Sequence, residues 1–194
     1  MENRERVMIE FLKDLKMAVE KIDREISKEE EESCARFRCE KTCPMYQYAE
    51  EKKTKFQEIK SEILKRAKEK KACKDEYKRA YKSETIQELC TVIKGNFFWC
   101  CGNNVLTAEF IELYKDEFEK NEIYCNKGRI GGFTLLTGNS QRSFYGSAIV
   151  FAKDNSYVMA YGDTRVFACD NSTVELYNYS KVDNKKGVII FDKR

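Results

Sequence analysis

From Thr134 to Lys181 the chain repeats every eight residues, six times without an insertion, as TLLTGNSQ, RSFYGSAI, VFAKDNSY, VMAYGDTR, VFACDNST and VELYNYSK. Val150, Val158, Val166, Val174 and Val182 stand in strict register. A unit this short cannot bury an apolar face alone, so successive copies must stack on one another. Within a block a valine usually leads, a small residue often stands two places on, and a Gly/Asp/Asn pair supplies the turn. Those residue types tolerate positive φ or bond their own backbone. Successive strand side chains point to opposite sides. Ser156, Val158 and Ala160 therefore face a narrow interior, and Tyr157, Met159 and Tyr161 face outward.

A second period sets how the coil is wound. The fourth position runs Thr137, Tyr145, Lys153, Tyr161, Cys169, Tyr177, so tyrosine recurs every sixteen residues. The second position runs Leu135, Ser143, Phe151, Met159, Phe167, Glu175, and its large apolar residue recurs at the same interval. Two octapeptides per turn account for both alternations; three account for neither. The expectation is a flat, two-layered parallel β-solenoid of about three coils. One face carries Leu135, Phe151 and Phe167 beside Ile149. The other carries Tyr145, Tyr161 and Tyr177 beside Tyr157 and Met159. An uncovered phenylalanine stripe would invite aggregation, so that face is expected to pack on a neighbouring domain or a second copy. Tyrosine tolerates water and suits recognition surfaces.

The GNSxVxA-like blocks resemble those of octapeptide-repeat β-solenoid proteins of gut bacteria and their phages, and the coil logic is similar to the short β-roll of grass antifreeze proteins. The resemblance covers about the last third of the chain. It implies a parallel solenoid and carries over no catalytic residue. Ice-binding rolls display flat threonine arrays, whereas the outward positions here are Tyr, Phe, Lys and Arg.

The 194 residues suffice for two or three small units. The opening MENRERVMIEF is charged from its second residue, and no apolar signal core or membrane-length run follows, so the expected location is cytoplasmic. Nine cysteines in that compartment read as reduced thiols. Histidine is absent, which removes Ser-His-Asp and Cys-His catalysis, zincin motifs and the usual deaminase site. No Walker loop or GxGxxG occurs, and no cofactor is implied.

The first two-thirds read as helical. Met8, Leu12, Leu15, Val19, Ile22 and Ile26 form a heptad seam in residues 3–33. A weaker seam over 44–82 runs Met45, Ala49, Phe56, Ile59, Ile63, Cys73, Tyr77 and Ala80. Pro44, the only proline, follows Thr42 where a helix would begin. The expectation is an antiparallel, coiled-coil-like hairpin over 1–83, its second helix ~55 Å long if continuous at ~1.5 Å per residue. Residues 2–33 hold eleven acidic and seven basic side chains, and residues 52–82 thirteen basic and five acidic. Opposite charge would help the two helices choose each other. The functional alternative is a phosphate-binding stripe of Lys65, Arg66, Lys68, Lys70, Lys71, Lys74, Lys78 and Arg79, with Tyr77 and Tyr81 for stacking.

Cys34, Cys39 and Cys43 follow a C-x4-C-x3-C spacing at the expected hairpin tip, where clustered thiolates suit zinc or an iron–sulfur cluster. The spacing fits no standard motif, and plain packed thiols are the preferred reading. Residues 84–125 gather Ile86, Leu89, Cys90 and Ile93, then the cluster Phe97, Phe98, Trp99, Cys100 and Cys101. Thr107 caps a helix bearing Phe110, Ile111, Tyr114 and Phe118. Two short helices about a turn suggest a helix-turn-helix, but Glu109, Glu112, Asp116, Glu117 and Glu119 would repel phosphate. A helical cap closing the solenoid's first coil is the expected role.

The fold class expected is thus α+β: a helical hairpin over 1–83, a cap over 84–125 and a solenoid over 126–194. The function expected is non-enzymatic binding of a protein or ribonucleoprotein target, of the kind performed by phage or mobile-element inhibitors of the anti-defence or anti-CRISPR type. The basic residues above and Tyr145, Tyr157, Tyr161 and Tyr177 are its candidate contacts. The alternatives are a homo-oligomeric structural or virion-associated protein, and nucleic-acid binding through 52–82; no membrane partner is expected.

Overall fold

The structure, a computed structural model, describes residues 44–184 and 187–194. The expected N-terminal helix, its pairing with a second helix and the Cys34, Cys39, Cys43 group lie outside the described residues. The chain divides into two compact units, Met1–Lys55 and Phe56–Arg194. In the first, helix α1 (Pro44–Glu69) begins. It carries a Lys55–Glu51 ion pair at 2.9 Å and Lys52 over the Tyr48 ring at 4.4 Å.

The second unit opens with the rest of α1. Ile59, Ile63 and Ala67, spaced four apart, are buried there on one face. The single long helix expected over 44–82 is broken. The Ala72 N–H donates to the Ala67 carbonyl at 2.9 Å and the Lys71 N–H to the Lys68 carbonyl at 3.1 Å, while Lys71 is left-handed at φ 56. That is a Schellman closure, with lysine where glycine is usual. Helix α2 (Lys74–Lys82) follows, then α3 (Ile86–Gly95), α4 (Phe97–Gly102), α5 (Ala108–Leu113) and α6 (Lys115–Lys120). The Thr107 hydroxyl accepts from the Phe110 N–H at 3.3 Å, the cap expected from sequence.

The strands form an all-parallel two-sheet solenoid of about four turns, one more than the repeat alone suggests. The first sheet is ordered β1 (Ile123–Cys125), β2 (Phe133–Leu136), β4 (Ile149–Ala152), β6 (Arg165–Ala168), β8 (Lys181–Asn184). The second is β3 (Gln141–Phe144), β5 (Tyr157–Ala160), β7 (Thr173–Leu176), β9 (Ile189–Asp192). Val150 pairs with Val166 and Val166 with Val182; Val158 pairs with Val174. Neighbours in a sheet are thus two octapeptides apart.

The corners explain the code. The fifth residue of every block is left-handed: Gly138, Gly146, Asp154, Gly162, Asp170 and Asn178, with φ from 55 to 67. In the last three blocks, two residues after that corner, the hydroxyls of Thr164, Ser172 and Ser180 donate back to the carbonyls of Tyr161, Cys169 and Tyr177 at 2.7–2.8 Å. A small hydroxyl residue at the seventh position therefore closes the bend and replaces a buried polar cost with a bond. Ser156 stands at the same position with its hydroxyl unpartnered, as is that of Thr134. Inside, Val150, Ala152, Val158, Ala160, Val166, Ala168 and Val174 fill the space between the sheets.

Candidate recognition surfaces

The two outward ladders meet different fates. Leu135 and Phe151 are buried and Phe167 is half-buried, because α4 lies on this face. Phe98 stacks on Phe167 with ring centroids 5.3 Å apart, and Phe97 meets Phe133 edge-on at 5.3 Å. The apolar cluster at Phe97–Cys101 and the phenylalanine ladder are two halves of one core. Helices α5 and α6 pack against β1 and cover the solenoid's first edge, the position expected of a cap. One of those acids, Glu119, pairs with Lys127.

On the second sheet the tyrosines stack on one another. Tyr145 and Tyr161 lie 4.9 Å apart and Tyr161 and Tyr177 4.5 Å apart, each pair within 11° of parallel. Their faces are spent on each other, so what remains for a partner is a stiff row of ring edges and hydroxyls. The row begins at Ile130, 84% exposed and bridged to Tyr145, itself 46% exposed. Glu175 organises the far end. The Tyr177 hydroxyl donates to it at 2.7 Å, and Tyr157 bonds the same carboxylate. Those bonds hold the Glu175 carboxyl below its ordinary range and push both phenols up to about 12. Ile130 carries no repeat signal in the sequence, and Glu175, like Ser143, stands at a second position outside the apolar sixteen-residue recurrence.

The basic stripe is redistributed by the turn at Lys70–Cys73. Arg66 points inward: it bonds Glu62 at 2.7 Å, reaches the Val105 carbonyl at 3.4 Å and lies over the Phe110 ring at 4.7 Å. Arg79 pairs with Glu76 at 2.9 Å. The Arg66 hydrogen bond lowers the Glu62 carboxyl, and Asn96 and Arg79 lower that of Glu76. Lys65, Lys68, Lys70, Lys71, Lys74 and Lys78 are exposed around the α1–α2 turn, with Lys65 4.0 Å from Glu62. Tyr77 packs against the core and is not offered for base stacking, whereas Tyr81 is exposed.

Cys90, Cys100, Cys101 and Cys125 are buried free thiols. Burial pushes Cys90 and Cys100 up to about 12, Cys125 up to about 11 and Cys101 well above its ordinary value. They are protonated packing groups, poor as nucleophiles. Among the described residues no group of three or more metal-ligating side chains comes together. Among the same residues no helix is long and apolar enough to cross a membrane.

These features define a parallel β-solenoid with one face and one edge closed by helices. The chain matches no protein-family model, no curated protein and no solved structure.

Proposed function

We propose that this is a non-enzymatic binding protein that engages a protein or ribonucleoprotein partner through the outer face of the second sheet. The observation that carries the reading is the row Ile130, Tyr145, Tyr161, Tyr177 on a face that no described helix covers. Stacked rings are already ordered, so a partner that contacts them pays little further side-chain entropy, which favours recognition. Tyrosine edges supply apolar area and hydroxyls together. The biological form of this reading is stoichiometric inhibition of a host complex in the cytosol, in the manner of phage anti-defence proteins.

The second reading is nucleic-acid contact through Lys65, Lys68, Lys70, Lys71, Lys74 and Lys78, favoured by their gathering at one helical corner. It is weakened by the inward engagement of Arg66 and Tyr77 and by the surface pairing of Arg79 with Glu76. The test is capture of partners from a bacterial lysate by the tagged chain, with and without nuclease. Two variants are compared with it, Ile130→Asp/Tyr145→Ser and Lys68→Glu/Lys70→Glu/Lys74→Glu. The proposal expects one partner held at near-equal stoichiometry after nuclease and lost only with the Ile130/Tyr145 variant. Capture of nucleic acid alone, stripped by nuclease and lost with the lysine variant, would replace it with the second reading.

A further inference from the structure

Where α1, α2, α3 and α4 converge, the packing leaves a cavity of about 170 Å³. Three alanines create it: Ala67 on α1, Ala72 in the turn and Ala80 on α2 all stop short of the space between the helices. Its floor is apolar and buried, formed by Ile63, Ile93, Cys100 and Val105 among others. The Cys100 thiol there is pushed up to about 12 by burial and stays uncharged. Its rim is half-exposed and includes Tyr77, Val92 and Trp99. The single carboxylate at the rim, Glu76, is already held by Asn96 at 2.8 Å and by Arg79 at 2.9 Å. The rim therefore presents no uncompensated charge to an entering molecule.

We infer that this cavity is a binding site for a small uncharged aromatic or branched aliphatic molecule. Size, lining and charge all point to that class. An enclosed apolar cavity of about 150 Å³ takes up benzene-sized ligands, and this site offers similar apolar space open at its rim. Ligand sites are apolar concavities with few polar groups, and they occur between helices that pack together. A charged ligand would have to displace Arg79 or Asn96 from Glu76 and would leave its own charge desolvated against alanine and isoleucine. The site is separate from the tyrosine row and stands whether or not that row binds a partner.

Trp99 lines the site and is the only tryptophan in the chain, so occupancy reads out directly. The experiment titrates the full chain with toluene, following Trp99 emission and Tm, with benzoate as the charged counterpart. Two cavity-filling variants, Ala80→Leu and Ala72→Leu, are run beside the wild type, the second at a less buried position in case the first fails to fold. The inference expects a saturable change in Trp99 emission and a ligand-dependent rise in Tm for toluene, with no such response to benzoate. It expects binding at least tenfold weaker in whichever filled variant folds. A wild type with no saturable response up to the solubility limit would overturn it. So would a folded filled variant that responds as the wild type does, since the toluene would then sit elsewhere.

Discussion

Replacing Gly162 by alanine tests how closely the coils are stacked. Gly162 has φ +67, and a Cβ there would lie 3.1 Å from the Gly146 nitrogen, 3.2 Å from its oxygen and 3.3 Å from its Cα. All three are backbone atoms of the preceding coil, which would have to give by a few tenths of an ångström to admit the methyl. Gly138 occupies the same corner position with φ +66, but a Cβ there meets nothing within 4 Å. Both substitutions incur the left-handed penalty of about 1–2 kcal/mol. Both gain the same small offset from a stiffer unfolded chain. Only Gly162→Ala adds overpacking, at about 1–3 kcal/mol. The expected losses are about 1–2 kcal/mol for Gly138→Ala and about 2–5 for Gly162→Ala, measured by urea unfolding at unchanged m-value. Equal losses at the two sites would refute the close stacking of these corners.

Three further outcomes follow from the geometry. Phe98→Ala removes the half-buried ring between α4 and the solenoid and should lose about 2 kcal/mol, less than the ~3–5 typical of a fully buried phenylalanine; thermal and urea unfolding both read it. Lys71→Gly relieves the left-handed lysine at the end of α1 and should gain about 0.5–1 kcal/mol, where a loss would dispute the Schellman closure. Tyr157 and Tyr177 should form phenolate only as pH approaches about 12, against about 10 for unfolded tyrosine. Because the folded values are raised, their contribution is fully present below about pH 10 and is lost as pH rises through about 12. Glu175→Gln should bring both titrations down towards the ordinary value in a phenolate absorbance scan.

The solenoid was legible because its rules are local and repeat. A left-handed corner needs Gly, Asp or Asn, and the fifth position of each block supplies one, as at Gly162 and Asp170. The sixteen-residue recurrence of tyrosine marks rings that stack on one another. The apolar second position, Phe151 and Phe167, marked the face that helices cover. The first strand was not legible, since Ile123–Cys125 carries strand hydrogen bonds without the octapeptide pattern and lies before the expected solenoid boundary at 126. The break after Glu69 was hidden for a different reason. Its left-handed residue is Lys71, which gives none of the stop signal a glycine would, so the sequence presents a continuous basic stripe where the chain turns. Arg66 looked like one more surface base because its partners, Val105 and Phe110, lie about forty residues away. The cavity had no signature at all. Ala67, Ala72 and Ala80 are ordinary helix-favouring residues until two helices and the turn between them place them around one space.

The position of every surface side chain depends on two octapeptides making one coil, and one cross-linking measurement tests this. Asn171 Nδ2 lies 3.5 Å from Asn155 Oδ1 at one corner, and adjacent parallel strands, about 4.8 Å apart, suit the Cα separation of a disulfide. The double variant Asn155→Cys/Asn171→Cys is oxidised and its linked peptides are identified by mass spectrometry, beside Asn155→Cys/Asp163→Cys and Asn155→Cys/Tyr179→Cys. A two-octapeptide coil predicts a link between positions 155 and 171 and none from 155 to 163 or 179. A link to position 179 in preference to 171 would mean three octapeptides per turn and would contradict the whole arrangement of the two faces.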